Sequence, residues 1–224
     1  MQVALDTQKK ILGAVMELKE GDDVPAIYEE RIESLVVNAQ GEEISEVDGA
    51  PVVAEDVEVG KQFKLSPEDR LYPVYKLKTQ GGNQAEAYIL PVYGNGLWDN
   101  IWGYIALEND LKTVNGVSFD DAGETRGLGD RITSVDVLGR FKGKKIYNVV
   151  GELVAVRRVK GETGDPSIYG ENEVDGLSGA TITAVGVNSM LESYLGYYKP
   201  YLEKVSGNAI SQVNSESKEL TFNN

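Results

Sequence analysis

Apolar residues recur at helical spacing from the start of the chain. Leu5, Ile11, Leu12, Val15, Met16 and Leu18 fall mostly on one face and predict a helix over residues 5–18. The Gly21-Asp22-Asp23 turn ends it. Pro25 suits the first turn of a second helix that presents Ile27, Ile32, Leu35 and Val36 before residues 38–41 close it. Residues 42–69 are acidic and irregular, with a turn at Asp48-Gly49-Ala50-Pro51. Strand-like runs rich in Tyr, Val, Ile and Leu then occupy residues 71–78, 85–92 and 101–107, and residues 111–119 give a fourth. Residues 131–141 predict a short amphipathic helix through Ile132, Val135, Leu138 and Phe141, and residues 153–159 another strand. Finally Ile182, Val185, Ser189 or Met190, Tyr194, Leu195 and Tyr198 repeat at helical spacing up to Pro200.

The links between the four strands are short and glycine-rich, Gln80-Gly81-Gly82-Asn83 and Tyr93-Gly94-Asn95-Gly96, which suits antiparallel pairing. The expected fold is therefore a single α+β domain, a mainly antiparallel sheet flanked by helices. Residues 1–20 read as an N-terminal helix, 21–205 as the body of the domain, and the Ser/Asn/Glu-rich residues 206–224 as a flexible tail.

Composition narrows the chemistry. The 224 residues carry a net charge of −14, which disfavours nucleic acid and direct adsorption to an anionic membrane surface. With no cysteine, thiolate metal sites, iron–sulfur clusters, disulfides and cysteine nucleophiles are excluded. With no histidine, a Ser-His-Asp triad and a histidine-ligated haem are excluded as well. What remains is carboxylates, hydroxyls, oxygen-ligated metals or a borrowed organic cofactor. No metal site and no catalytic residue of the chain's own stands out.

The segment with most chemical content is Asp175-Gly176-Leu177-Ser178-Gly179-Ala180-Thr181, just before the last helical pattern. It places one hydroxyl, Thr181, after small residues at a helix start, where free N–H groups and the dipole favour a phosphate. A hydroxyl there can carry a phosphate as an ester as well as bind one. Two further loops combine glycine with apolar residues: Gly94-Asn95-Gly96-Leu97-Trp98 and Gly123-Glu124-Thr125-Arg126-Gly127-Leu128-Gly129. Leu97, Trp98 and Leu128 are suited to clamp a flat ring. Taken singly, each loop reads first as a plain turn, Trp98 as core and Glu124 as a solvated acid, and Ser178 can be read as a helix cap. One ring-bearing phosphate ligand explains all three together.

The Asp175–Thr181 run resembles the flavinylation motif of proteins that carry FMN as a phosphoester on threonine. With residues 5–12, Gly94–Trp98, Gly103-Tyr104-Ile105-Ala106-Leu107 and Gly123–Gly129 in this order, the chain is similar, over about residues 5–205, to a family. That family is the C subunits of the Na⁺-translocating NADH:quinone oxidoreductase, with the G subunits of the Rnf complex as cousins. The resemblance implies an FMN-binding domain over residues 21–205, with Thr181 as the covalent attachment point. It implies that Asp175, Ser178, Gly179 and Ala180 shape the phosphate end, and that Gly96, Leu97, Trp98, Glu124, Thr125 and Leu128 surround the ring. It further implies FMN installed from FAD by a separate flavin transferase, and assembly with the other subunits at the bacterial inner membrane. The soluble domain would lie on the periplasmic side. The family has a transmembrane helix just before residues 5–12, so this chain is expected to be the domain without that anchor. Ala122 and Arg126 stand where the family has His and Pro. The alternatives are an Rnf-type electron carrier, a small free-standing reductase that binds FMN reversibly, and a non-redox module in which residues 178–181 merely start a helix.

Overall fold

The computed structural model describes the backbone of residues 5–221 and the side chains of residues 5–207. Helix α1 (Leu5–Gly13) is followed by α2 (Val24–Arg31), which Asp23 caps by accepting the Ala26 N–H at 3.2 Å. Strand β1 (Ile32–Val37) comes directly after α2. A small hairpin, β2 (Glu46–Val47) with β3 (Ala50–Pro51), and helix α3 (Val59–Gln62) occupy the acidic stretch. The long strands are β4 (Tyr72–Lys78), β5 (Ala85–Asn95), β6 (Asn100–Glu108) and β7 (Val114–Asp121). Helix α4 (Val135–Gly139), the two-residue strands β8 (Arg157–Arg158) and β9 (Glu173–Val174), and helix α5 (Thr181–Thr221) complete the chain.

The sheet runs β1-β4-β5-β6-β7, with every neighbouring pair antiparallel. Its two faces are both covered, so the inner strands β4, β5 and β6 carry long apolar runs and not a clean alternation. On β5, Leu90 and Val92 join the core beneath α5, whereas Ala87 and Ile89 join the core shared with α1 and α2. Pro91 sits beyond Ile89, the last residue of β5 paired with β4, so its missing N–H costs no ladder bond on that side.

Several elements differ from the sequence expectation. Helix α1 ends at Gly13, five residues early, where the Val15 and Met16 N–H groups both turn back to the Leu12 carbonyl at 2.9 Å. The second helix stops at Arg31, because Ile32, Val36 and Val37 are better used on the sheet, where β1 pairs with β4 from Ile32↔Leu77 to Val37↔Tyr72. The helix expected over residues 131–141 is instead a 3₁₀ turn, Gly129–Thr133, and the short α4, separated by an extended Ser134. The strand expected over 153–159 shrinks to β8, paired in parallel with β9.

Helix α5 also passes through Pro200, where the pattern had ended it, and its backbone stays helical to Thr221, through most of the stretch expected as a tail. The residue whose carbonyl the proline ring crowds is Gly196, which has no side chain to add to that crowding. Gly41 packs directly on the backbone here: it has φ +70°, and a Cβ on it would overlap the backbone of Pro200 and Tyr201. Gly41→Ala is expected to destabilise the domain by about 2 kcal/mol, measured by urea unfolding, because strain and overlap add.

Candidate functional site

The three glycine-bearing segments meet at the first turn of α5. Thr181 is its first residue and is exposed, and among the described residues nothing hydrogen-bonds its hydroxyl. Ala184 donates its N–H to the Ala180 carbonyl at 3.0 Å, so the N–H groups of Thr181, Ile182 and Thr183 lie before the first helical bond. Before them the chain turns sharply. Ala180 N–H meets the Leu177 carbonyl at 3.2 Å, and Gly179 has φ +78°, a left-handed conformation for which glycine is suited. A side chain at Gly179 would also press on Leu128. Leu177 and Ala180 are buried and anchor the turn from below, leaving Ser178 and Thr181 at the surface.

Glu124 joins the loops. Its side chain is buried, and one carboxylate oxygen accepts the Trp98 N–H at 3.1 Å while the other accepts the Thr183 hydroxyl at 2.5 Å. Gly96 and Gly129 make room for that carboxylate, since a Cβ on either would overlap it. The Trp98 indole N–H donates to the Thr125 hydroxyl at 3.2 Å. Glu124 is thus an internal tie between the β5–β6 loop, its own loop and α5, and not the solvated acid that its loop suggests when taken alone.

Around this tie lies apolar surface that folding leaves uncovered. Trp98 is 71% exposed, Leu97 40% and Leu128 41%; Ile182 and Val185, on the outward face of α5, are 58% and 56%. The sequence pattern counts the last two in the helix's core stripe. The core stripe is instead Thr183, Ala184, Val187, Met190, Leu191, Tyr194, Leu195 and Tyr198. A groove of about 420 Å³ runs along this outward face, bounded by Gly96, Ile182, Val185, Ser189, Phe63 and Tyr93. Phe63, Tyr93, Ile182, Val185 and Thr183 are contributors that sequence reasoning missed; the surplus of apolar residues at the start of α5, more than one buried stripe uses, was the available signal. A free hydroxyl, unpaired N–H groups and an adjacent apolar shelf fit a flavin mononucleotide, whose phosphate and flat ring have those needs.

Asp175 plays a different part. Its buried carboxylate accepts the N–H groups of Thr163, Gly164 and Gly176 at 2.7–3.0 Å and the Tyr169 hydroxyl at 2.7 Å. Burial works against its ionisation, but these bonds prevail and hold its pKa below the ordinary value. It braces the 163–169 loop under the turn. Arg126 and Ala122 are exposed, and Arg126 makes no ion pair among the described residues.

Glu162 is held by Arg131 through two bonds of 2.9 and 2.7 Å, and by Arg140 at 2.8 Å; these two guanidiniums lower its pKa to about 2. Glu162 therefore binds its proton more weakly folded than unfolded. The stability this adds is full above the ordinary carboxylate range and is lost as pH falls from about 5 towards 2. Thermal midpoints measured across that range should fall with pH, and fall less steeply in Glu162→Gln.

Comparison with known proteins agrees with this geometry. Residues 96–196, which take in the second and third segments and the Gly96–Trp98 part of the first, match the FMN-binding domain family. The chain is 35% identical to the C subunit of the Na(+)-translocating NADH-quinone reductase of Haemophilus ducreyi, over 93% of this chain and 84% of that protein. It is 34% identical to the protein of that name from Pseudomonas aeruginosa, over 86% and 78%. The crystal structure of the C subunit of the Na(+)-translocating NADH-quinone reductase from Parabacteroides distasonis superposes with a TM-score of 0.74 at 35% identity, covering 88% of this chain and 92% of that one.

Proposed function

Since the chain belongs to the family of C subunits of the Na(+)-translocating NADH-quinone reductase, we propose that it is an FMN-carrying electron-transfer subunit of such a reductase, with FMN held as a phosphoester on Thr181. The observation behind this is the exposed Thr181 hydroxyl at the start of α5, bonded to nothing among the described residues and flanked by N–H groups that precede the first helical bond and by the Leu97, Trp98, Leu128, Ile182 and Val185 shelf. FMN supplies the redox chemistry, and the chain positions it.

Each part of the site has a task in this reading. The N–H groups of Thr181, Ile182 and Thr183, with the helix dipole, offset the phosphate charge. Glu124 holds Trp98 and Thr183 in register, so that the shelf is formed before the ring arrives. The apolar residues exclude water from one side of the ring. Thr181 is a tether and takes no part in turnover; a tether suits a domain on the periplasmic side, where a dissociated cofactor would be lost. A flavin transferase installs the cofactor, and the other subunits of the reductase supply and accept the electrons.

The test is to co-express the chain with a flavin transferase and run it on a denaturing gel. A fluorescent band at the position of the protein supports the reading. Flavin that is present in the native protein but released on denaturation would favour reversible binding, and a colourless protein would sink the reading altogether.

A further inference from the structure

The turn before Thr181 is gripped from outside by a charged cluster. Glu162, on the loop after β8, accepts the Ser178 N–H at 3.2 Å. Arg140, in the first residues after α4, donates to the Gly176 carbonyl at 2.9 Å and to Glu162 at 2.8 Å, and also reaches Asp136 at 2.5 Å. Arg131, in the 3₁₀ turn that follows the Glu124 loop, clasps Glu162 with both terminal nitrogens. The two backbone groups on either side of buried Leu177 are thus fixed by one Glu162–Arg140 pair, whose side chains are only 16% and 17% exposed. Arg131 ties that pair to the segment that begins at Leu128, which touches Gly179.

We propose that Arg131, Glu162 and Arg140 form a clamp that presets the Gly176–Ala180 turn for flavin transfer, with Glu162 as its central positioning residue. The proposal rests on Thr181 being the flavin acceptor. In the transfer the Thr181 hydroxyl oxygen attacks the flavin-side phosphorus of FAD. A new O–P bond forms, the pyrophosphate P–O bond breaks, AMP leaves with the bonding pair, and the hydroxyl proton passes to solvent or to a base of the transferase. No electron changes hands in this step. In-line attack on phosphorus demands a fixed acceptor, and misplacement of a reacting atom by about 1 Å is enough to cost up to 10²-fold in rate. The clamp acts on the two residues, Gly176 and Ser178, whose backbone sets where Gly179 begins its left-handed turn. Its side chains make no bond to the Thr181 hydroxyl, and it meets the shelf only through the backbone, where the Arg131 N–H donates to the Leu128 carbonyl at 3.3 Å.

An amide at position 162 keeps the size of the side chain but no longer binds two guanidiniums at once with acceptors alone, so the turn is released without emptying the site. The experiment uses the full chain, purified without flavin, with a flavin transferase and FAD, and follows covalent incorporation by in-gel fluorescence. Glu162→Gln is expected to incorporate flavin about tenfold more slowly at saturating FAD, with little change in the FAD concentration for half-maximal rate. Arg131→Gln, which removes one arm at a more exposed position, should show a smaller slowing. Glu86→Gln, which breaks the remote Arg31–Glu86 pair of 2.7 Å, should incorporate at the unsubstituted rate. Wild-type-like rates in Glu162→Gln and Arg131→Gln would overturn the clamp, as would equal slowing in Glu86→Gln. Should Glu162→Gln fail to fold by circular dichroism, Arg131→Gln decides. If the unsubstituted chain itself takes up no flavin, the Thr181 reading falls, a result distinct from failure of the clamp.

Discussion

Thr181→Ala is expected to abolish covalent flavin while leaving the thermal midpoint almost where it was. Thr181 is exposed and its hydroxyl holds nothing among the described residues, so its removal touches no packed or bonded group. Substitutions at such surface positions change stability by about 0.5 kcal/mol or less. Alanine is also a strong helix former and disturbs the first turn of α5 little. Thr181→Ser keeps the hydroxyl and should retain the flavin, a control that separates the oxygen from the methyl group. Gel fluorescence after co-expression with the transferase, beside circular dichroism melts, reads both quantities. Fluorescence persisting in Thr181→Ala would move the attachment to another hydroxyl, Ser178 being the nearest exposed one in the chain.

Glu124→Ala should bring the largest loss of stability at the site, about 3 kcal/mol in urea unfolding. It leaves the buried Thr183 hydroxyl and the Trp98 N–H without their acceptor and opens space between Gly96 and Gly129, which are glycines because the carboxylate fills that space. Flavin attachment should fall with it, since Trp98 and the start of α5 lose their common tie. Glu124→Gln keeps one carbonyl acceptor and should cost less, about 1 kcal/mol. A loss below about 1 kcal/mol in Glu124→Ala would mean the two loops hold their places without the tie.

Strands β4–β7 and the start of α5 were legible because each rests on local signals: branched and aromatic runs between glycine turns, and small residues ahead of an amphipathic helix. Strand β1 was not, because Ile32, Leu35 and Val36 also fit a helical face; only the free edge of β4, distant in sequence, decides between the two. The exposure of Ile182 and Val185 was hidden in the same way, since spacing shows that a helix has an apolar stripe but not that it has two. The fold brings the loops bearing Leu97, Trp98, Glu124, Thr125 and Leu128 to the turn that carries Thr181, through the Glu124 bonds and the approach of Leu128 to Gly179. Glu124 and Asp175 are internal braces there, a role set by donors that arrive from other loops. The Arg131–Glu162–Arg140 cluster spans contacts more than 20 residues apart and leaves no periodic trace in the chain.

The most direct measurement is the mass spectrum of the peptide bearing Thr181, from protein co-expressed with a flavin transferase. This peptide should gain the mass of FMN less one water, and fragmentation should place the gain on Thr181. An unmodified Thr181 peptide in protein that retains flavin through denaturation would contradict the ester linkage at this residue.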